Sequence, residues 1–170
     1  MGKIPCPPGP PGPQGPQGPP GAQGPAGSQG PAGIAASTDY GYIYQSTAQI
    51  VPIGEAVSFD SNGTLFGGIA HVLGDSGITI NVAGHYKVMF SVTGEQSNQF
   101  ALFVNDALIE GSLYGSASPN QQNNGVVIVS IVEPSTLKLR NHISDGSVTL
   151  ETLAGGIEAN VTASVLIQKL

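Results

Sequence analysis

From Tyr40 to the C-terminus, apolar and polar residues alternate in short runs broken by turn chemistry. That period of two is the mark of β-strands with one buried face, and it predicts an antiparallel all-β domain with no need of a helix. In "GHYKVMFSVTG", Tyr86, Val88, Phe90 and Val92 fall on one face, and His85, Lys87, Met89 and Ser91 on the other. "NQFALFVNDALIEGS" places Phe100, Leu102 and Val104 together, turns at Asn105-Asp106 and resumes at Ala107, as a hairpin does. Further strands are predicted at "YGYIY", "AVSFD", "GITINV", "TLKLRN", "SVTLET" and "NVTASVLIQKL". Asn-Gly, Asp-Ser-Gly, Pro-Ser and Asp-Gly separate them as turns. About ten short strands in this space suggest a two-sheet jelly roll.

One segment departs from the alternation. "GVVIVSIV", residues 125–132, is apolar almost throughout, with Val126, Val127, Ile128, Val129 and Ile131 in succession. A strand apolar on both faces needs a second cover besides its own core. A neighbouring subunit would supply one, and loops of the same chain over a central strand would supply another.

The residues before Tyr40 follow a different rule. Gly9, Gly12, Gly15, Gly18, Gly21, Gly24, Gly27, Gly30 and Gly33 stand at strict period three with proline crowded between them. This is the collagen pattern: three polyproline-II chains pack so closely that only glycine fits at their axis. A disordered Pro/Gly linker would need no such register. The division that follows is an N-terminal attachment leader (1–6), a collagen-like stalk (7–35) and a jelly-roll head (36–170), assembled as a homotrimer. Nine triplets span roughly 80 Å at about 3 Å per residue.

All eleven acidic residues lie after residue 34, against Lys87, Lys138, Arg140 and Lys169, so the head carries a formal charge of −7. Nucleic acid needs clustered cations, and so does an anionic membrane, so neither is an expected partner. Charged residues are only 9% of the chain, which leaves the surface to Ser, Thr, Asn, Gln and Gly. "MGKIPCPPG" lacks the apolar core of a secretory signal. Cys6 is the only cysteine and cannot close an intrachain disulfide. In a trimer it would link to its own copies or to another protein, or remain a bystander thiol.

The chain offers little for catalysis. "GDSG" (74–77), with His71 nearby, matches the tetrapeptide around a serine-protease nucleophile, but the chain has no room for the second barrel that such chemistry requires. Asp, Ser and Gly in that order serve a turn. His71, His85 and His142 lack metal-site spacing and read as polar strand positions. Asp60, Asp75, Asp106 and Asp145 read as turn formers before they read as calcium ligands. Asn62 and Asn160 head glycosylation tripeptides of a kind that recurs by chance. No catalytic residue, cofactor or metal site is expected.

A collagen stalk followed by a jelly-roll head of this size resembles the tumour-necrosis-factor and complement-head superfold. "GYIY", "AVSFDSNG", "NQFALFVN", "LKLRNH", "VTLETLAGG" and "NVTASVLIQKL" further resemble the C-terminal domain of the Bacillus collagen-like spore-surface glycoproteins. That resemblance implies a homotrimer in the hair-like nap of the exosporium, with its N-terminus on the spore and its head outward. It also implies synthesis in the mother cell, where no signal peptide is needed. Two features depart from the family. The stalk has no threonine, with Ser28 its only hydroxyl, and "MGKIPC" stands where the exosporium-targeting motif would be. Attachment through Cys6, to the basal layer or to the tip of a spore appendage, is the expectation. The function expected is that of a structural surface fibre. The alternative is an adhesin whose head recognises a host protein or glycan, with Phe103 and Tyr114 as its weak candidate contacts.

Overall fold

The computed structural model describes every residue except Lys3, residues 31–38 and Glu133, so Gly33 and the stalk–head boundary lie outside the described residues. The chain divides into two units, Met1–Ile34 and Ala35–Leu170. In the first, the described residues are exposed and form no strand or helix. At each glycine from Gly9 to Gly30 an added Cβ would meet nothing within 4 Å. Nothing in a single chain therefore demands glycine at those positions.

The second unit is built from thirteen strands among the described residues: β1 (Tyr40–Gln45), β2 (Ile50–Val51), β3 (Ser61–Phe66), β4 (Ile69–His71), β5 (Ile78–Ile80), β6 (Gly84–Thr93), β7 (Asn98–Val104), β8 (Ala107–Leu108), β9 (Tyr114–Ser116), β10 (Gln122–Ile131), β11 (Ser135–Asn141), β12 (Val148–Thr149) and β13 (Ala163–Lys169). One sheet runs β10-β6-β13-β1-β3. The other runs β4-β5-β11-β7, with β8 and β9 both on the outer side of β7, and β2 and β12 form a separate ribbon. The pairings are antiparallel throughout. The two sheets enclose a core that includes Ile43, Phe59, Tyr86, Val88, Phe100, Leu102, Leu139 and Ile167, all without solvent exposure. The domain is thus an antiparallel jelly roll.

The alternation in β6 reads as the pattern predicts, whereas β7 buries Ala101 and Phe103 on its other face as well as Phe100 and Leu102, and leaves Val104 half-buried. Tyr86, Val88, Phe90 and Val92 are buried, and the β7–β8 turn passes through Asn105 (φ 50°) and Asp106 (φ 64°). Both residues are left-handed, which is the conformation a two-residue hairpin turn requires.

Two expectations change. "AVSFD" buries Val57 and Phe59 but forms no strand. Its amides are spent on two different segments, Val57 donating to the Leu139 carbonyl (2.9 Å) and Phe59 to that of Asp75 (3.0 Å), so no ladder can grow. Asn62-Gly63 lies inside β3 rather than in a turn, and the chain reverses later, at Gly67 (φ 68°). Gly63 is there because Tyr42 covers it, and a Cβ would sit 2.9 Å from the Tyr42 ring. Asn-Gly, expected as a turn, instead serves close approach across the sheet.

Asp60 ties the start of β3 to the end of β1. Its carboxylate accepts bonds from the backbone amides and hydroxyls of Ser46 and Thr47 and from the Ser61 hydroxyl. Partial burial pushes its pKa up, but these donors outweigh burial and hold it below the ordinary 3.8. A carboxyl with a depressed folded value stabilises above its unfolded pKa, and that contribution fades as pH falls through the folded one. Asp60→Asn should lower stability to urea at pH 7, and the gap to wild type should narrow below about pH 4.

Gly125 opens a space in β10 for two rings. A Cβ there would lie 2.2 Å from Phe90 and 2.7 Å from Tyr114, whose rings meet edge-on at 6.0 Å. Gly125→Ala should cost about 1–3 kcal/mol by overpacking, measured by urea unfolding.

Candidate functional site

The feature that sets this head apart is the outer face of the five-stranded sheet. Register across the strands aligns Val126, Met89, Leu166 and Tyr42 in one transverse row on β10, β6, β13 and β1. All four are large, apolar or aromatic, and exposed. The row beside it holds Ile128, Lys87, Gln168, Tyr40 and Phe66, with Tyr40 stacked on Phe66 at 5.5 Å. On the other side lie Asn124, Ser91, Ser164 and Tyr44, the last stacked on Tyr42 at 5.4 Å. Met89, Val126 and Leu166 wall a shallow groove of about 330 Å³ with Ser91, Ser164 and Asn124 at its polar end. Ile128 is 65% exposed, which is unusual for a residue of its size within a strand.

None of the thirteen strands of the head contains an acidic residue, so charge does not tell the two sheets apart. What marks this face is its row of large exposed apolar and aromatic side chains, which is suited to contact with another protein surface.

The structure places the apolar run 125–132 at the edge of the sheet, not in its centre. β10 pairs with β6 alone, and its residues alternate. Ile131 is buried and Val127 and Val129 pack against the core, whereas Val126 and Ile128 point away from it. The run is apolar on both faces because one face belongs to the core and the other to the exposed row. Tyr42, Leu166 and Met89 carry no special signal in their own segments.

The remaining candidates are separate from this face. Tyr114 packs its ring on Phe90, and its hydroxyl donates to the Val126 carbonyl at 3.0 Å. Phe103 is only 7% exposed, covered by the Arg140 guanidinium 4.7 Å from its ring centre and by His142 at its edge. Lys138 and Arg140 both pair with Asp106, which keeps that carboxyl below its ordinary range. Lys169 pairs with Asp39 at 3.4 Å. Burial, and to a lesser degree the Asp39 charge, raises the Tyr86 hydroxyl, which donates to the Val82 carbonyl. Among the described residues no cluster of three His, Cys, Asp or Glu gathers that could hold a metal. Cys6 is exposed in the first unit with a free thiol.

No protein-family profile matches this sequence, and no curated protein matches it. Its shape, however, is shared. The globular domain of zebrafish complement 1qA superposes with a TM-score of 0.56 over 78% of this chain and 95% of that one, at 7% identity. Eiger TNF from S. frugiperda gives 0.57 over 79% and 93%, at 12% identity. Murine APRIL gives 0.50 over 78% and 98%, at 8% identity. The head therefore has the complement-1q and tumour-necrosis-factor jelly-roll fold.

His71 near "GDSG" has a structural task. Its Nδ1 lies 2.7 Å from Asn62 Oδ1 and its Nε2 lies 3.0 Å from the Asp75 carbonyl, tying β3 to the turn after β4. Its ring is thus bonded to Asn62 and to the Asp75 backbone. His71→Ala should cost about 1 kcal/mol through the lost bonds. Ser76→Ala should stay within about ±0.5 kcal/mol. Neither should change turnover of a generic ester, which should equal the buffer rate in wild type as well.

Proposed function

We propose that this chain is the subunit of a homotrimeric, collagen-stalked structural fibre of the bacterial spore surface. Three chains wind their Gly-X-Y segments into a triple helix, three heads associate through the exposed apolar row of the five-stranded sheet, and the N-terminal leader holds the fibre to the exosporium or to the tip of a spore appendage. The observation that carries this reading is the glycine period itself. Nothing in the single chain crowds Gly9 to Gly30, so a strict third-place glycine is accounted for by the axis that three chains share. The head fits the same stoichiometry, since its exposed Val126, Met89, Leu166 and Tyr42 form one continuous row that a neighbouring copy can bury. Each such side chain is worth about 1.5–3 kcal/mol when fully buried.

The spore surface is inferred from the resemblance of the head segments to the Bacillus spore glycoproteins. Attachment through Cys6 follows from its place: an exposed, free thiol immediately before the first triplets brings three thiols to one end of the stalk. The part assigned to the head is display. Phe103, one of the two aromatic side chains that would favour a recognition role, is covered by Arg140.

The full chain should sediment as a trimer at micromolar concentration and show triple-helical circular dichroism. Met89→Asp combined with Leu166→Asp should leave the head folded and monomeric, because it buries carboxylates where apolar contact is needed. A monomeric wild type would overturn the proposal. On spores, Cys6→Ser should leave the trimer intact yet release the protein under denaturing, non-reducing extraction. Equal retention would assign attachment to the rest of the leader.

A further inference from the structure

The six-stranded sheet carries a depression of about 400 Å³ at the start of β7, between β9 and the chain that leaves β11. Gln99 is exposed there while Phe100, the next residue, points into the core, so the depression opens on the outer face of this sheet. The apolar row lies on the outer face of the other sheet, and covering that row would leave the depression open. Val92 and Gln45 both pair with Ala163, which brings the end of β6 level with the end of β1, and β7 starts just beyond it. The depression is therefore at the end of the head opposite Tyr40.

Its floor is polar, buried and already bonded. The Ser144 hydroxyl accepts from the Gln99 amide at 2.8 Å, and Ser116 donates to the Ser118 carbonyl at 3.1 Å. Asn98 donates to the Gln96 carbonyl at 2.9 Å and accepts from the Asn123 side chain at 3.0 Å. These bonds fix the shape of the site before anything enters it. The rim differs: the Gln99 side-chain amide and the Asp145 carboxylate are exposed and have no partner among the described residues, the bonds of Gln99 all being made by its backbone. Gly115 leaves room for Gln99, since a Cβ there would lie 3.1 Å from Gln99 Cγ. Ile143, 56% exposed, adds an apolar wall.

This set of groups selects among ligand chemistries. It contains no Lys, Arg or His, and its one charge is a carboxylate, so an anion is repelled. One carboxylate is too few for calcium, which takes about six to eight oxygens. A purely apolar ligand would strand Gln99 and Asp145 without water. A neutral polyhydroxylated ring fits each group. Its hydroxyls donate to the Asp145 carboxylate, exchange bonds with the Gln99 amide, which both donates and accepts, and leave a C–H face for Ile143. The volume is in the range of small-molecule sites, roughly 300–1,000 Å³.

We infer that this pocket is a binding site for a neutral hexopyranoside, held by Asp145 and Gln99 against Ile143, and that the head recognises sugar as well as displaying itself. The site belongs to a single head and does not rest on the trimer reading. Saturation-transfer NMR on the full chain, with methyl glucoside, methyl galactoside and methyl N-acetylglucosaminide as probes, should show transfer to at least one, in the millimolar range that a shallow site gives. Glucuronate should bind less well than methyl glucoside, because Asp145 repels its carboxylate. Asp145→Asn and Gln99→Ala should each weaken binding by about tenfold. Gly115→Ala should weaken it too, although it removes no polar group, because it displaces Gln99. Lys87→Gln, on the opposite face, should leave it unchanged. Circular dichroism and the urea midpoint report folding, and neither Gln99 nor Asp145 contributes a side-chain bond to its own chain. No transfer to any of the three probes, or binding indifferent to Gln99 and Asp145, would overturn the site. A neutral peptide that binds through these two residues where no sugar does would overturn it as well and assign the pocket to a protein partner. A monomeric wild type that still binds sugar would overturn the trimer and leave this site standing.

Discussion

The constraint on which the rest depends is that one face of the five-stranded sheet has no cover of its own. A sandwich buries the inner faces of its two sheets and leaves the outer faces to water, which is why outer positions in an acidic domain normally carry charge. Here Val126, Met89, Leu166 and Tyr42 occupy one outer row of large apolar or aromatic side chains, all exposed in the single chain. A continuous row of that kind is favourable where another surface covers it.

Local polar chemistry then serves to keep that face flat and in register. Asp60 gathers Ser46, Thr47 and Ser61 at one end of β1 and β3, and Asp39 with Lys169 closes the other, where β1 meets the last strand. Gly63 lets Tyr42 lie against the sheet, and Gly125 lets Phe90 and Tyr114 support β10 from beneath. These are small devices, each worth a kilocalorie or a few, but together they hold a row of side chains at fixed spacing. A contact surface built on strands is more precise than one built on loops.

Much of the fold was legible in the sequence because its strongest signals are periodic. Period two in "GHYKVMFSVTG" separates the core side of β6 from its outer side residue by residue. Short strands were less legible. Val57 and Phe59 have the right alternation and the right burial, yet their amides answer to two different neighbours, a tertiary fact that no local pattern contains. Asn62-Gly63 failed as a turn because glycine is chosen both for left-handed backbone and for close approach, and sequence alone does not say which. The candidate surface was legible in half. The doubly apolar run announced that β10 needed a second cover, but Met89, Leu166 and Tyr42 are single outward residues on unremarkable strands. They become a surface only when register lines them up.

The same division between local and assembled chemistry bears on the stalk. Its nine triplets contain no charged residue, so they lack interchain ion pairs that would fix their register, and ordering three chains removes backbone entropy of about 1–2 kcal/mol per residue. Alone, such segments would associate weakly. Joined to heads that associate as proposed, they would meet at an effective concentration of roughly millimolar, with the register set before the first triplet winds. In the proposed fibre the head is therefore the nucleus and the stalk its consequence, which reverses the order in which the sequence presents them. An uncharged stalk is then no weakness, because in that fibre the sheet face would supply the specificity. What remains for the triplets is length, and for that, glycine at every third place with proline between is sufficient.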